Sequence, residues 1–150
     1  MLFKVFPDAR VVQTHRDPLE TIPSLASFVY RLCQLTSDHV DPAVIGQHWN
    51  AKMAAAMARC MDIRASLPAD RFLDVDFADT VKQPMAIIEN IYAFAGMELT
   101  DSTRSAIELW RRQNRREKRA PHDYSLSQFG FSEDQLKQDY AAYRRRYINS

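Results

Sequence analysis

Only two stretches of this chain can be strands, and they stand far apart. "ARVVQTH" (9–15) alternates and is rich in β-branched residues, and "RFLDVDF" (71–77) reads as a second strand. The residues between them carry helical patterns. Two strands joined by a long helical crossover pair in parallel. Two strands make a small sheet, and parallel sheets normally have more strands and are covered on both faces. The pattern predicts an α/β chain of predominantly helical content, one domain over residues 1–150, that reads as the back half of a larger α/β domain. Met1 stands just ahead of the first strand, where a neighbouring strand would be expected to exist already.

The helices announce themselves by their caps. Asp17-Pro18-Leu19-Glu20 predicts a helix from Pro18 to about Leu35: Asp17 caps it, Pro18 fits the first helical position and Glu20 closes a capping box. Leu25, Phe28, Val29 and Leu32 share one face, and Pro23 should kink the helix. Asp41-Pro42 repeats the cap and opens a helix to about Ser66, whose "AKMAAAMARCM" stretch reads as core packing. A third helix runs from Pro84 through Ile87, Ile88, Ile91, Tyr92 and Phe94 and stops at Gly96. A fourth runs from about Asp101 to Lys118, with Trp110 expected in the core. "APHDYSLSQFGF" is irregular. Ser132 then caps a last helix, with Gln135 as capping-box partner, Phe131 stapled to Leu136, and Leu136, Tyr140, Tyr143 and Tyr147 as its buried stripe.

Composition removes several function classes. A net charge of +1 gives no global attraction to nucleic acid or membrane, so any basic site must be local. No apolar run reaches 18 residues and no signal peptide is evident, so no transmembrane segment is expected. Cys33 and Cys60 stand alone, without CxxC or Cys/His ligand spacing; they read as reduced, buried thiols of a cytoplasmic protein, and no metal is expected. The glycines number 3, Gly46, Gly96 and Gly130, and none is near another. A loop that wraps backbone amides around phosphates needs clustered glycines, so neither GxxxxGK[ST] nor GxGxxG can be built. A phosphate bound here would be held by side chains and helix ends.

"THRDPLETIPS" (14–24) is the place for such a site. In open α/β sheets ligands sit at the carboxyl ends of strands, beside helix N-termini. Arg16 falls there; its guanidinium can fork onto a phosphate, and the positive end of the following helix adds to the attraction. Ser24 lies about two turns, ~10 Å, along that helix. From spacing alone the alternative stays open: Arg16 pairs with Asp17 or Asp41 on the surface and Ser24 is an ordinary helical serine. A second basic feature, "WRRQNRREKR" (110–119), holds six cations that cannot share one helix face. It suits a solvated helix end, where cations meet the negative end of the dipole. A nucleic-acid patch is disfavoured by the near-neutral charge and the lack of interleaved aromatics.

"FPDARVVQTHRDPLETIPSLASF" closely resembles the sulfotransferase superfamily, in particular a bacterial branch that often carries HRDP after FPDA. In that family an arginine after a core strand and a serine eight residues later hold the 3′-phosphate of the donor 3′-phosphoadenosine 5′-phosphosulfate (PAPS); Arg16 and Ser24 match them. "FLDVDFADTVKQPMAIIENIYAFAGMEL" is similar to the family's second strand, turn and apolar helix, with Ala78 and Thr80 where Glu and Leu are usual. "APHDYSLSQFGFSEDQLKQDYAAYRRRY" is similar to the branch's C-terminal segment. The likeness runs from about residue 3 to 148. It implies a partial P-loop-like parallel sheet, PAPS or its desulfated product adenosine 3′,5′-bisphosphate (PAP) as the nucleotide, an unknown small-molecule acceptor, and no metal.

The resemblance also implies that the stretch after the fourth helix closes over the nucleotide. Arg115, Arg116, Lys118 and Arg119 are its candidates, with Lys118 and Arg119 nearest the irregular segment. The family's 5′-phosphosulfate loop and its usual catalytic base lie upstream of anything matched here, and a start-site truncation or a shortened gene product both fit. His15 reads as a strand-end histidine that orients a neighbour rather than as the base. In a complete family member an acceptor hydroxyl or amine would attack the sulfur in line. The alternative is a non-catalytic module that binds PAP or packs with a partner, with a homo-oligomer through the exposed sheet edge left open.

Overall fold

The computed structural model describes residues 2–114 and 125–149, and the chain divides into two compact units. The first unit comprises Met1–Thr14 and Asp70–His122; the second comprises His15–Ala69 and Asp123–Ser150.

In the first unit a short helix α1 (Leu2–Val5) precedes β1 (Val11–His15), which pairs in parallel with β2 (Phe72–Asp76). Both expected strands form, and the long crossover between them makes them parallel. After β2 come α4 (Phe77–Lys82), α5 (Pro84–Ala95) and α6 (Asp101–Gln113). Where a turn was expected, α4 forms because the Asp76 carboxylate accepts from the Ala78 amide and caps it. Gly96 ends α5 in the left-handed conformation, φ 70°, as its sequence position implied. Phe3 packs edge-on to Phe72, and Arg10 reaches the Phe94 carbonyl and lies over its ring. Trp110 differs from expectation: it is 61% exposed on α6, next to exposed Leu109.

The second unit is helical: α2 (Pro18–Cys33), α3 (Pro42–Ala65), α7 (Glu133–Asp139) and α8 (Ala141–Tyr147), with a 3₁₀ turn at Ser127–Phe129. Asp17 and Asp41 cap α2 and α3 as their sequences require, each followed by proline at the first helical position. Ile22, Leu136 and Tyr140 form the buried centre, with Leu19, Met53, Ala54, Met57, Leu126 and Phe131 packed around them. Gly46 lets α3 meet the 3₁₀ turn: a Cβ there would overlap the Phe129 carbonyl and stand 2.9 Å from Phe129 Cβ.

Several expectations are corrected. The buried side of α2 is Pro18, Ile22, Pro23, Ala26 and Ser27, whereas Phe28 and Leu32 are exposed. α2 packs on α3, and small Ala26 and Ser27 lie beside Ile22 in its buried set. The alanine- and methionine-rich stretch of α3 is core on one side only: Met53 and Met57 face the cluster, while Ala55, Ala56 and Ala58 are exposed. Cys60 is exposed and Cys33 half-buried, not buried thiols. The last helix breaks at Tyr140, whose φ −110° and ψ 16° lie outside helical values. No glycine or proline marks that break. It accompanies the burial of Tyr140 against α3, where its hydroxyl donates to the Asn50 carbonyl and side-chain oxygen. No helix among the described residues is long and apolar enough to cross a membrane.

Candidate functional site

The joint between β1 and α2 is built by alternation. His15 and Asp17 turn to one side of the chain and Arg16 to the other. His15 is buried, 3% exposed; its Nδ1 hydrogen-bonds the Tyr143 hydroxyl at 2.8 Å, and its ring stacks on Tyr147 at 4.2 Å and 9°. His15 is thus enclosed at the strand end by two tyrosines.

Asp17 does two things at once. Its Oδ1 accepts from the Leu19 amide at 3.0 Å, which is the cap of α2. Arg144 forks onto the same carboxylate, Nε to Oδ1 and Nη2 to Oδ2, both at 3.0 Å. Such bidentate pairing is the strong form of a charge-assisted bond, and both side chains are largely shielded from solvent, at 18% and 22% exposure. The first turn of α2 therefore already has a carboxylate at its positive end. An incoming anion would meet side chains here before it met the helix dipole.

Arg16 lies back along α2. Its Nε and Nη2 donate to Glu20 Oε2 at 2.8 and 2.7 Å. Its surface partner is thus Glu20, rather than the Asp17 or Asp41 that spacing suggested. Residues four apart share a helix face, so Glu20 and Ser24 lie one turn apart on the same side of α2. Ser24 is exposed. The guanidinium lies against Glu20 in the first turn of α2, held by its carboxylate. A guanidinium and a hydroxyl are a donor set that fits a phosphate, and both are open to solvent. Lys118 and Arg119, with Arg115 and Arg116, lie outside the described residues.

Elsewhere in this unit a polar groove of about 510 Å³ opens beside Gln47, Asn50, Gln135 and Asp139. It includes neither Arg16 nor Ser24, and its polar groups bond one another: Asn50 and Gln135 both donate to Asp139. Beside it, burial raises the Tyr140 phenol far above its ordinary pKa, with the nearby Asp139 charge adding to the effect.

Place in the sequence and family resemblance nominated Arg16 and Ser24, but not Glu20, Tyr143 and Arg144 as partners of the joint. Glu20 at the fourth position after Arg16 is a recognisable ion-pair spacing. The other two lie more than 120 residues downstream, and only the buried stripe of the last helix hinted that Tyr143 and Tyr147 face inward.

Comparison with known proteins bears on this joint. A family model described as "Sulfotransferase family" matches residues 1–101. The sulfotransferase STF9 from Mycobacterium avium is 27% identical, with a TM-score of 0.86 over 98% of this chain and 38% of that one. The sulfotransferase STF1 from Mycobacterium tuberculosis H37Rv is 28% identical, with a TM-score of 0.79 over 94% of this chain and 35% of that one. The chain thus spans little more than a third of the length of these two proteins. No curated protein matches it.

Proposed function

The chain belongs to the sulfotransferase family, and from that premise we propose that the β1–α2 joint is the 3′-phosphate half of a PAPS/PAP site. Arg16 supplies the guanidinium fork and Ser24 the hydroxyl. The observation that carries this reading is the placement of Arg16 along the face of α2 that Glu20 and Ser24 share. A phosphate bound there takes one turn's shift of the guanidinium from Glu20 towards Ser24. Lys118 and Arg119 are proposed to cover the nucleotide from the segment after α6.

In this reading the joint anchors and does not react. PAPS supplies an activated sulfuryl group: in the family's full architecture an acceptor hydroxyl or amine would bond to its sulfur as the S–O bond to the 5′-phosphate breaks, releasing PAP, with the acceptor's proton passing to a base. Anchoring matters because binding energy from a remote phosphate positions the reacting group. The half-site is common to an enzyme and to a module that only binds PAP; sulfuryl transfer to a test acceptor separates the two. The site itself is tested by selectivity. Adenosine 3′-monophosphate should displace bound PAP, and adenosine 5′-monophosphate should do so at least tenfold less well. Equal competition by the two would remove the 3′-phosphate assignment.

A further inference from the structure

Both neighbours of Arg16 in sequence are held by the same short helix. On one side His15 hydrogen-bonds Tyr143 and stacks on Tyr147. On the other, Asp17 receives the fork of Arg144. Tyr143, Arg144 and Tyr147 are all on α8, whose last turn is also braced by Arg64 over the Tyr147 ring at 5.3 Å. The arrangement is longer in range than local structure needs: Asp17 alone is enough to cap α2, and a strand end does not need a stacked tyrosine.

We propose that α8 is the positioning element of the phosphate arginine. Tyr143 and Arg144 act through His15 and Asp17 to fix the backbone of the joint, so that Arg16 leaves it on the side of Glu20 and Ser24. Arg144 has a second effect. It offsets the Asp17 carboxylate, which would otherwise stand one residue from a guanidinium meant for an anion. The assignment of Arg16 to a nucleotide phosphate rests on the reading above; the positioning of Arg16 by α8 rests on the contacts alone.

The two are separable by experiment. The full 150-residue chain is compared with Tyr143→Phe, Arg144→Met and, as control on the exposed side of α8, Arg145→Ala. Two quantities are read: the solvent-exchange rate of the Arg16 Nε–H by ¹H–¹⁵N NMR without nucleotide, and PAP affinity in the Arg16 and Arg16→Ala backgrounds. Tyr143→Phe keeps the ring in place, so it remains informative if Arg144→Met fails to fold. We expect Arg16 Nε–H exchange to quicken several-fold in Tyr143→Phe and Arg144→Met and to stay unchanged in Arg145→Ala. PAP affinity should fall at least fivefold in the first two, and this loss should vanish once Arg16 is alanine. Unchanged Arg16 exchange, or an equal affinity loss in both backgrounds, overturns the proposal. Altered exchange in a chain that does not bind PAP supports positioning by α8 while contradicting the nucleotide reading.

Discussion

Arg16 and Glu20 are joined by two hydrogen bonds to a single carboxylate oxygen, 2.8 and 2.7 Å long, on the face of α2 that also carries Ser24. An exposed pair one turn apart on a helix is worth only about 0.3–0.5 kcal/mol. It is therefore weak enough for a doubly charged phosphate to displace. Glu20 competes with the ligand proposed for this joint. Glu20→Gln is expected to bind PAP about two- to fivefold tighter, with the gain shrinking as salt rises. Weaker binding by this variant would mean that Glu20 orients Arg16 for the anion instead of withholding it.

Tyr143 and Tyr147 flank His15 with opposite polar consequences. The Tyr143 hydroxyl is bonded to His15, so Tyr143→Phe should cost about 1 kcal/mol or more, because a buried ring nitrogen loses that bond. The Tyr147 hydroxyl is buried with no hydrogen-bond partner among the described residues. Tyr147→Phe should therefore leave stability unchanged or raise it by up to about 1 kcal/mol. Chemical unfolding of the two variants measures this difference, which would be contradicted by equal losses.

Tyr140 makes stability fall at high pH. Its folded-state pKa is raised by burial, so above the ordinary tyrosine value, about 10, the unfolded chain releases this proton while the folded chain keeps it. The contribution is fully present below about pH 10 and is lost progressively above it. Unfolding midpoints measured from about pH 9 to 11 should decline, and Tyr140→Phe should flatten the decline. At neutral pH the same variant should be less stable, since two bonds to Asn50 are gone.

At Gly46 the space decides. Alanine would gain up to about 1 kcal/mol in helix propensity. Its Cβ would, however, collide with the Phe129 carbonyl, which is backbone and cannot swing aside. Overpacking of this kind costs about 1–3 kcal/mol, so Gly46→Ala should lower the thermal midpoint of unfolding by several degrees. A rise would show that the 3₁₀ turn yields.

What the sequence made legible was local. Asp17, Asp41 and Ser132 are caps written in the residues that follow them, and the first strand was visible in the alternation of "ARVVQTH". The inward side of α2 was not legible: Leu25, Phe28, Val29 and Leu32 form the apolar stripe, but Ile22, Ala26 and Ser27 are the residues buried. The break at Tyr140 carries no punctuating residue, since it is set by tertiary contact with Asn50. In the proposed site, Arg16 and Ser24 are nominated by resemblance, since spacing alone left the alternative open. The side chains that hold the joint could not, because Tyr143 and Arg144 are brought to it only by the fold.

The most direct test of the central claim is calorimetric titration of PAP into the 150-residue chain and into its Arg16→Ala variant. Micromolar binding is expected, weakened at least tenfold by the substitution, about 1.4 kcal/mol. A folded chain that binds PAP equally well with and without Arg16, or not at all, would contradict it.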